Sequence, residues 1–336
     1  MEQQETQYRN KIVYLSFILS LLIIIRHSIG LKIYDLSGPL LYVETFFSYA
    51  TDLVVPMFFA MSGYLFYQNF DFGKLRSKWK TRTHSLFIPF AVWNIIGFLF
   101  AWLLFNLPYV SASLSRSLPE YNIGSWVYDV FIDTRYNITW FIRDLIIFVV
   151  VTPLFFPALK HRMGGAILIA IILVISFVIG NKFVSKYAAV FLFGGYMGIH
   201  YKEFCQQRYN EKQMITCGFL LLISVIIEAS IGSPQHGVMV PLRLLQIPLI
   251  WVASDFLAIK TEPKWWMKIS FFIYCSHSMI LESIEKVFWL GLGNTFIGAL
   301  LDFMLAPLLT LLIITALAWC LKKNKMVWGI LSGGRA

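Results

Sequence analysis

YLSFILSLLIIIRHSIG, Tyr14 to Gly30, decides the fold. From Ile12 to Leu31 nearly every residue is apolar, and about 20 such residues in helix cross a bilayer. The same run ends in Arg26 and His27, side by side. A charge inside hydrocarbon costs at least about 2.5 kcal/mol unless it is paired or hydrated. The run therefore predicts a membrane helix whose late polar pair has a purpose.

The whole chain repeats this character. Of its 336 residues 58% are hydrophobic and 14% charged, against about 25% charged in soluble domains. Aromatic residues make up 17%, enough for interfacial belts as well as packing. Ten apolar windows follow one another: 12–31, 44–67, 84–106, 138–159, 165–181, 184–200, 214–231, 239–259, 268–290 and 297–321. The expected fold is an all-α integral membrane protein of about ten transmembrane helices. A short segment, 1–11, precedes one polytopic domain, 12–321, and a basic tail, 322–336, follows it. No internal repeat or low-complexity segment interrupts it.

Loop charge gives an orientation. One alternating set of loops and ends carries nineteen Lys and Arg. Lys74, Arg76, Lys78, Lys80 and Arg82 lie together in it. The other set holds Lys32, Arg116, Arg135, Lys182 and Lys186. The positive-inside rule then puts both termini in the cytoplasm and makes the first span an uncleaved signal anchor. The net charge of +10 follows from topology, and no basic soluble module is present to read nucleic acid. Cys205 falls in a cytoplasmic loop and the other three cysteines in inner half-helices, which argues against a disulfide framework.

On this orientation the charges inside the spans gather at one level. His27 lies about 22 Å from the inner end of the first span, at about 1.5 Å per residue. Asp52, Arg143 and Asp144, Glu228 and Arg243, and Glu282 and Glu285 all fall in the outer half of theirs. The pattern suits a polar cavity open to the outer face. Blander readings are snorkelling for Arg26, helix-packing hydrogen bonds for His27 and His277, and structural salt bridges for Arg143 and Asp144. As sequence neighbours, Arg143 and Asp144 are expected to find separate partners.

Several segments, in order, resemble the membrane acyltransferase family 3, integral-membrane O-acyltransferases that modify bacterial surface glycans. YLSFILSLLIIIRHS, Tyr14–Ser28, is similar to its opening helix with a late histidine. VPMFFAMSGYLF, Val55–Phe66, is similar to its PlFFxxSGyl signature. RTHSLFIPFAVWN, Arg82–Asn94, and TWFIRDLIIFVVVTPLF, Thr139–Phe155, resemble its basic turn and WFLrdL segment. FFIYCSHSMIL, Phe271–Leu281, looks like its late Tyr-x-x-His helix. Ser16 stands where the family usually has a basic residue, and Lys80-x-Arg82 replaces its Arg-x-x-Arg.

The resemblance implies transfer of an acyl group, typically acetyl, from cytoplasmic acyl-CoA to a hydroxyl of a lipid-linked or surface saccharide. It places the protein in the cytoplasmic (inner) membrane, with acyl-CoA as a co-substrate and no permanently bound cofactor or metal. A hydroxyl needs a base, and imidazole titrates in the useful range. His27 is the base on this reading, with an acyl-histidine as the alternative. Asp52 is the first carboxylate expected to orient it and Asp144 the second. Arg143 or Arg26 would stabilise the oxyanion. Lys78, Lys80 and Arg82 would hold the donor's phosphates, and Ser62 and Gly63 would flank a channel for its acyl arm. The competing classes are a transporter or flippase with a polar midplane cavity, and a non-catalytic subunit of a polysaccharide export assembly.

Overall fold

Long runs of Leu, Ile, Phe and Val with few internal breakers leave the backbone one way to satisfy itself without water, the α-helix. The computed structural model describes residues 2–29, 34, 38–106, 122–132, 136–178, 187–231 and 239–335, which are helical with no strand among them. The helices are α1 Glu2–His27, α2 Gly38–Thr51, α3 Val54–Tyr67, α4 Leu75–Arg82, α5 Ile88–Phe105, α6 Ile123–Val127, α7 Trp140–Val150 and α8 Thr152–Leu159. They continue with α9 Arg162–Val178, α10 Tyr187–His200, α11 Lys202–Gln206, α12 Glu211–Ile231, α13 Met239–Ala253, α14 Ser270–Leu292, α15 Phe296–Leu321 and α16 Lys325–Ser332.

Six segments of the described chain are long and apolar enough to cross a bilayer: Gln3–His27, Gly38–Tyr67, Phe72–Phe105, Glu211–Ile231, Val240–Leu257 and Phe296–Leu321. A seventh is broken, because α7 and α8 meet at a 64° bend. Pro153 explains the break, since its missing N–H frees the carbonyl of Val149. The Trp79 indole N–H donates to that carbonyl at 3.0 Å. Of the remaining windows in the sequence, α9 and α10 are short and flank residues 179–186, outside the described set. α14 has 23 residues but carries Glu282, Glu285 and Lys286.

The core is built on α3 and α10, the most extensively packed helix pair. Glycines allow their approach. A Cβ on Gly194 would lie 1.9 Å from the Ala60 carbonyl oxygen, and one on Gly63 would lie 2.0 Å from that of Phe191. Small residues at such crossings let backbones touch where no hydrophobic effect drives helices together. Around this pair Phe59 packs on Phe141 at 4.5 Å and stacks on Tyr187 at 5.0 Å. At the periphery α12 buries only Val225 and Glu228 of its 21 residues.

Two ends of the chain are tied down. Lys11 is almost wholly enclosed. Its Nζ donates to the Trp251 carbonyl at 2.7 Å and to Asp255 Oδ1 at 3.0 Å, while Arg208 Nε donates to Asp255 Oδ2 at 2.9 Å. The segment expected as a basic tail is a docked helix, α16, capped by Asn324 Oδ1 and closed at Gly333 in the left-handed region, φ 67°. Trp328 and Ser332 of α16 are buried, and the Trp93 indole donates to the Leu331 carbonyl at 3.0 Å.

Candidate functional site

α1 runs one turn beyond its buried Ile23 and Ile24 and delivers Arg26 and His27 at its end. Arg26 answers its own desolvation locally. Its Nη2 lies 2.7 Å from Asp52 Oδ1, and Nη1 donates to the Ser48 carbonyl at 2.7 Å. Asp52 sits in the break between α2 and α3, which turns its carboxylate to α1. Its other oxygen lies 3.9 Å from Arg243 Nη2 on α13. Arg243 is buried and forks onto Glu228 of α12, with Nη1 2.7 Å from Oε2. Gln246 accepts from Arg243 at 2.8 Å and donates to Ser224 Oγ at 3.0 Å. Glu228, Arg243, Asp52 and Arg26 thus form a row of alternating charge from four parts of the bundle. Such pairing is what makes charge tolerable in a membrane.

The sequence reading is corrected here in its pairing. Asp52 is expected to face His27, but its two oxygens face the guanidiniums of Arg26 and Arg243. The reason is charge: the half-buried Arg26 and the buried Arg243 both attract this carboxylate. The ring beside His27 is instead His277 of α14, with ring centroids 5.0 Å apart. His27 is exposed and His277 fully buried. His277 Nδ1 lies 2.7 Å from the Tyr274 carbonyl, which only accepts, so Nδ1 carries the proton. Its Nε2 is enclosed with no hydrogen-bond partner. A neutral acceptor nitrogen is therefore held behind the accessible imidazole.

Arg143 and Asp144 do not take separate partners. Arg143 folds back so that Nε and Nη2 meet Asp144 Oδ1 at 3.2 and 3.1 Å, and Nη1 donates to the Ile132 carbonyl at 2.9 Å. The length of the arginine side chain permits this contact between helix neighbours. Tyr187 at the start of α10 lies within electrostatic reach of Asp52, Arg243, Arg26 and Asp144. No pattern in the sequence marks Tyr187. His277 had a signal, the Tyr-x-x-His spacing.

At the other end of α3 the expected donor residues separate. Lys78 Nζ donates to the Phe66 carbonyl and lies 5.1 Å from the Phe66 ring centroid. Arg82 stands 5.9 Å from that ring, and Lys80 is exposed. Ser62 is half-buried. Gly63 lies against the backbone of Phe191, so its missing side chain makes room for α10.

The model of the acyltransferase domain family matches residues 11–322. The chain belongs to this membrane acyltransferase family 3. No curated protein and no solved structure matches it. The matched span takes in the His27 pair, the alternating charges and the Lys78–Arg82 turn, so the acyltransferase domain contains the whole candidate site.

Proposed function

We propose that this acyltransferase moves an acyl group, acetyl in the simplest case, from cytoplasmic acyl-CoA to a hydroxyl of a lipid-linked or surface saccharide. The observation that carries the reading is the His27–His277 pair. One imidazole is accessible, and the other is locked behind it in a single tautomer. His27 takes the proton of the acceptor hydroxyl as its oxygen attacks the thioester carbonyl. The carbon–sulfur bond then breaks, and the proton passes from His27 to the departing thiolate, giving ester and thiol. His277 positions His27 through the packing of the two rings. Asp52 holds Arg26 beside the reacting groups, where a guanidinium steadies the oxyanion. Asp144 and Arg143 neutralise one another on the neighbouring wall.

The sidedness of the reaction rests on the loop charges. Nineteen basic residues against five favour cytoplasmic termini, a cytoplasmic-membrane location and about ten crossings, with α9, α10 and α14 as short or polar spans within the bundle. His27 then lies towards the outer face, where a saccharide arrives, and Lys78 and Arg82 lie inside, where acyl-CoA is found. The test is turnover in proteoliposomes with labelled acetyl-CoA and a saccharide acceptor. His27→Ala and His27→Gln should insert normally and transfer nothing. Wild-type product from either variant would overturn the role of His27.

A further inference from the structure

The turn that joins α4 to α5 holds cations without acids. Between them the helix widens into one π turn, Thr83–Phe87, in which the N–H of Ile88 reaches the carbonyl of Thr83. Such single turns recur at functional sites. Against this turn folds the end of α16. A Cβ on Gly333 would lie 2.6 Å from the Ser85 carbonyl oxygen. Gly333 and Gly334 both take positive φ, 67° and 69°, which reverses the chain and carries Arg335 back onto the bundle. Arg335 Nη2 donates to the Ser85 carbonyl at 3.4 Å, and its guanidinium lies 4.2 Å from the Phe271 ring centroid.

Lys78 and Arg82 stand over Phe66 and Arg335 over Phe271, and Arg82 lies within electrostatic reach of both Lys78 and Arg335. Among the described residues no ion pair joins any of them to a carboxylate, and the nearby Asp71 is held by Lys74 at 2.8 Å. Burial, and then the neighbouring charge of Arg82, pull Arg335 down to about 10. Beside them the hydroxyls of Ser85 and Ser332 are enclosed with no hydrogen-bond partner. Like charges and unused donors brought together out of water call for an anion.

We propose that Arg335, folded back by α16, joins Lys78 and Arg82 in a phosphate-binding site for the acyl donor. The proposal rests on the acyl-CoA reading given above. The height of the site fits that donor. Phe271 and His277 are on one helix, six residues apart, so the residue that Arg335 packs on lies only about 9 Å below His277 along α14. A phosphate held there leaves the pantetheine arm to rise along α14 towards the paired imidazoles, a path that avoids the closed α3–α10 contact.

The shared chemistry is a phosphate, and an anionic lipid headgroup also carries one. The experiment compares acetyl-CoA with acetyl-pantetheine, which lacks every phosphate, in nanodiscs of phosphatidylcholine with and without phosphatidylglycerol. Arg335→Gln should raise the KM for acetyl-CoA about tenfold or more, the loss of a charged hydrogen bond, with little change in kcat. Acetyl-pantetheine should be turned over as by wild type, and Arg335→Lys should recover part of the loss. A KM for acetyl-CoA within twofold of wild type overturns the site. So does equal damage with both donors, which would make Arg335 structural. If the wild-type KM rises only with phosphatidylglycerol, and Arg335→Gln abolishes just that rise, the cations hold lipid instead. Failure of wild type itself to use acetyl-CoA would remove the underlying reading, a result separable from all of these.

Discussion

The His27 and His277 rings lie 5.0 Å apart, one open and one enclosed, on helices more than two hundred residues apart in sequence. If the buried ring serves only packing, a residue of similar shape should replace it at no cost in turnover. His277→Gln should instead lower kcat by about a hundredfold, the scale of a misplaced reacting group, and leave the donor KM alone. An unchanged kcat in a monodisperse variant would make His277 a packing residue.

Arg26 and Asp52 bridge α1 to the α2–α3 break at 2.7 Å, and both side chains are about one-third exposed. The pair is therefore worth less than a buried one. A double-mutant cycle of Arg26→Gln and Asp52→Asn, followed by thermal unfolding in detergent, should give a coupling of about 1 kcal/mol. Activity should fall in both single variants, because each releases the partner from its place beside His27. Asp144→Asn is the contrast: it should disturb Arg143 and leave the coupling of Arg26 to Asp52 intact. Strict additivity of the first two changes would deny the bridge.

Gly63→Leu should fail as a folding change. Its side chain would meet the Phe191 backbone, where nothing flexible can give way. Overpacking of this kind costs about 3 kcal/mol or more, so the variant should aggregate or melt early. A well-folded, inactive Gly63→Leu would restore the channel at this position.

Lys11→Met removes the buried cation from Asp255 and the Trp251 carbonyl while keeping the aliphatic stem. Breaking one side of a buried pair costs about 3 kcal/mol. Arg208 remains on the other carboxylate oxygen, which should hold the loss towards the lower end. Melting unchanged within error would make the latch dispensable.

Much of this was legible in the sequence, for reasons visible in particular residues. Apolar runs such as Tyr14–Ile25 dictate helix wherever they occur, and the family segments place His27 and Arg143–Asp144 in the candidate site. The pairing was not legible. Arg26 could meet Asp52, Glu228 or a headgroup, and only the crossing of helices decides among them. Gly63 reads as a helix-packing contact or as a channel wall, and only the facing backbone of Phe191 shows the contact. Arg335 gave no sign at all, because its place depends on the reversal at Gly333 and Gly334.

Sidedness underlies the separation of donor from acceptor, so the orientation is the prediction with the widest reach. Lys80 and Asn122 are both exposed and lie on either side of α5 in the chain. Lys80 lies near the start of the Phe72–Phe105 segment and Asn122 beyond its end, so the apolar helix α5, Ile88–Phe105, separates them as a single crossing. They should therefore meet opposite solutions. Cys205, Cys217 and Cys320 are first replaced by Ser, since none is buried, while the enclosed Cys275 stays. In intact cells a membrane-impermeant maleimide should label Asn122→Cys and leave Lys80→Cys untouched until the membrane is opened. Labelling of Lys80→Cys from outside would put the basic turn on the wrong face for acyl-CoA. The cation site at Lys78, Arg82 and Arg335 would then have to serve an external anion, and His27 would open towards the cytoplasm. Labelling of both positions from outside would remove the crossing between them.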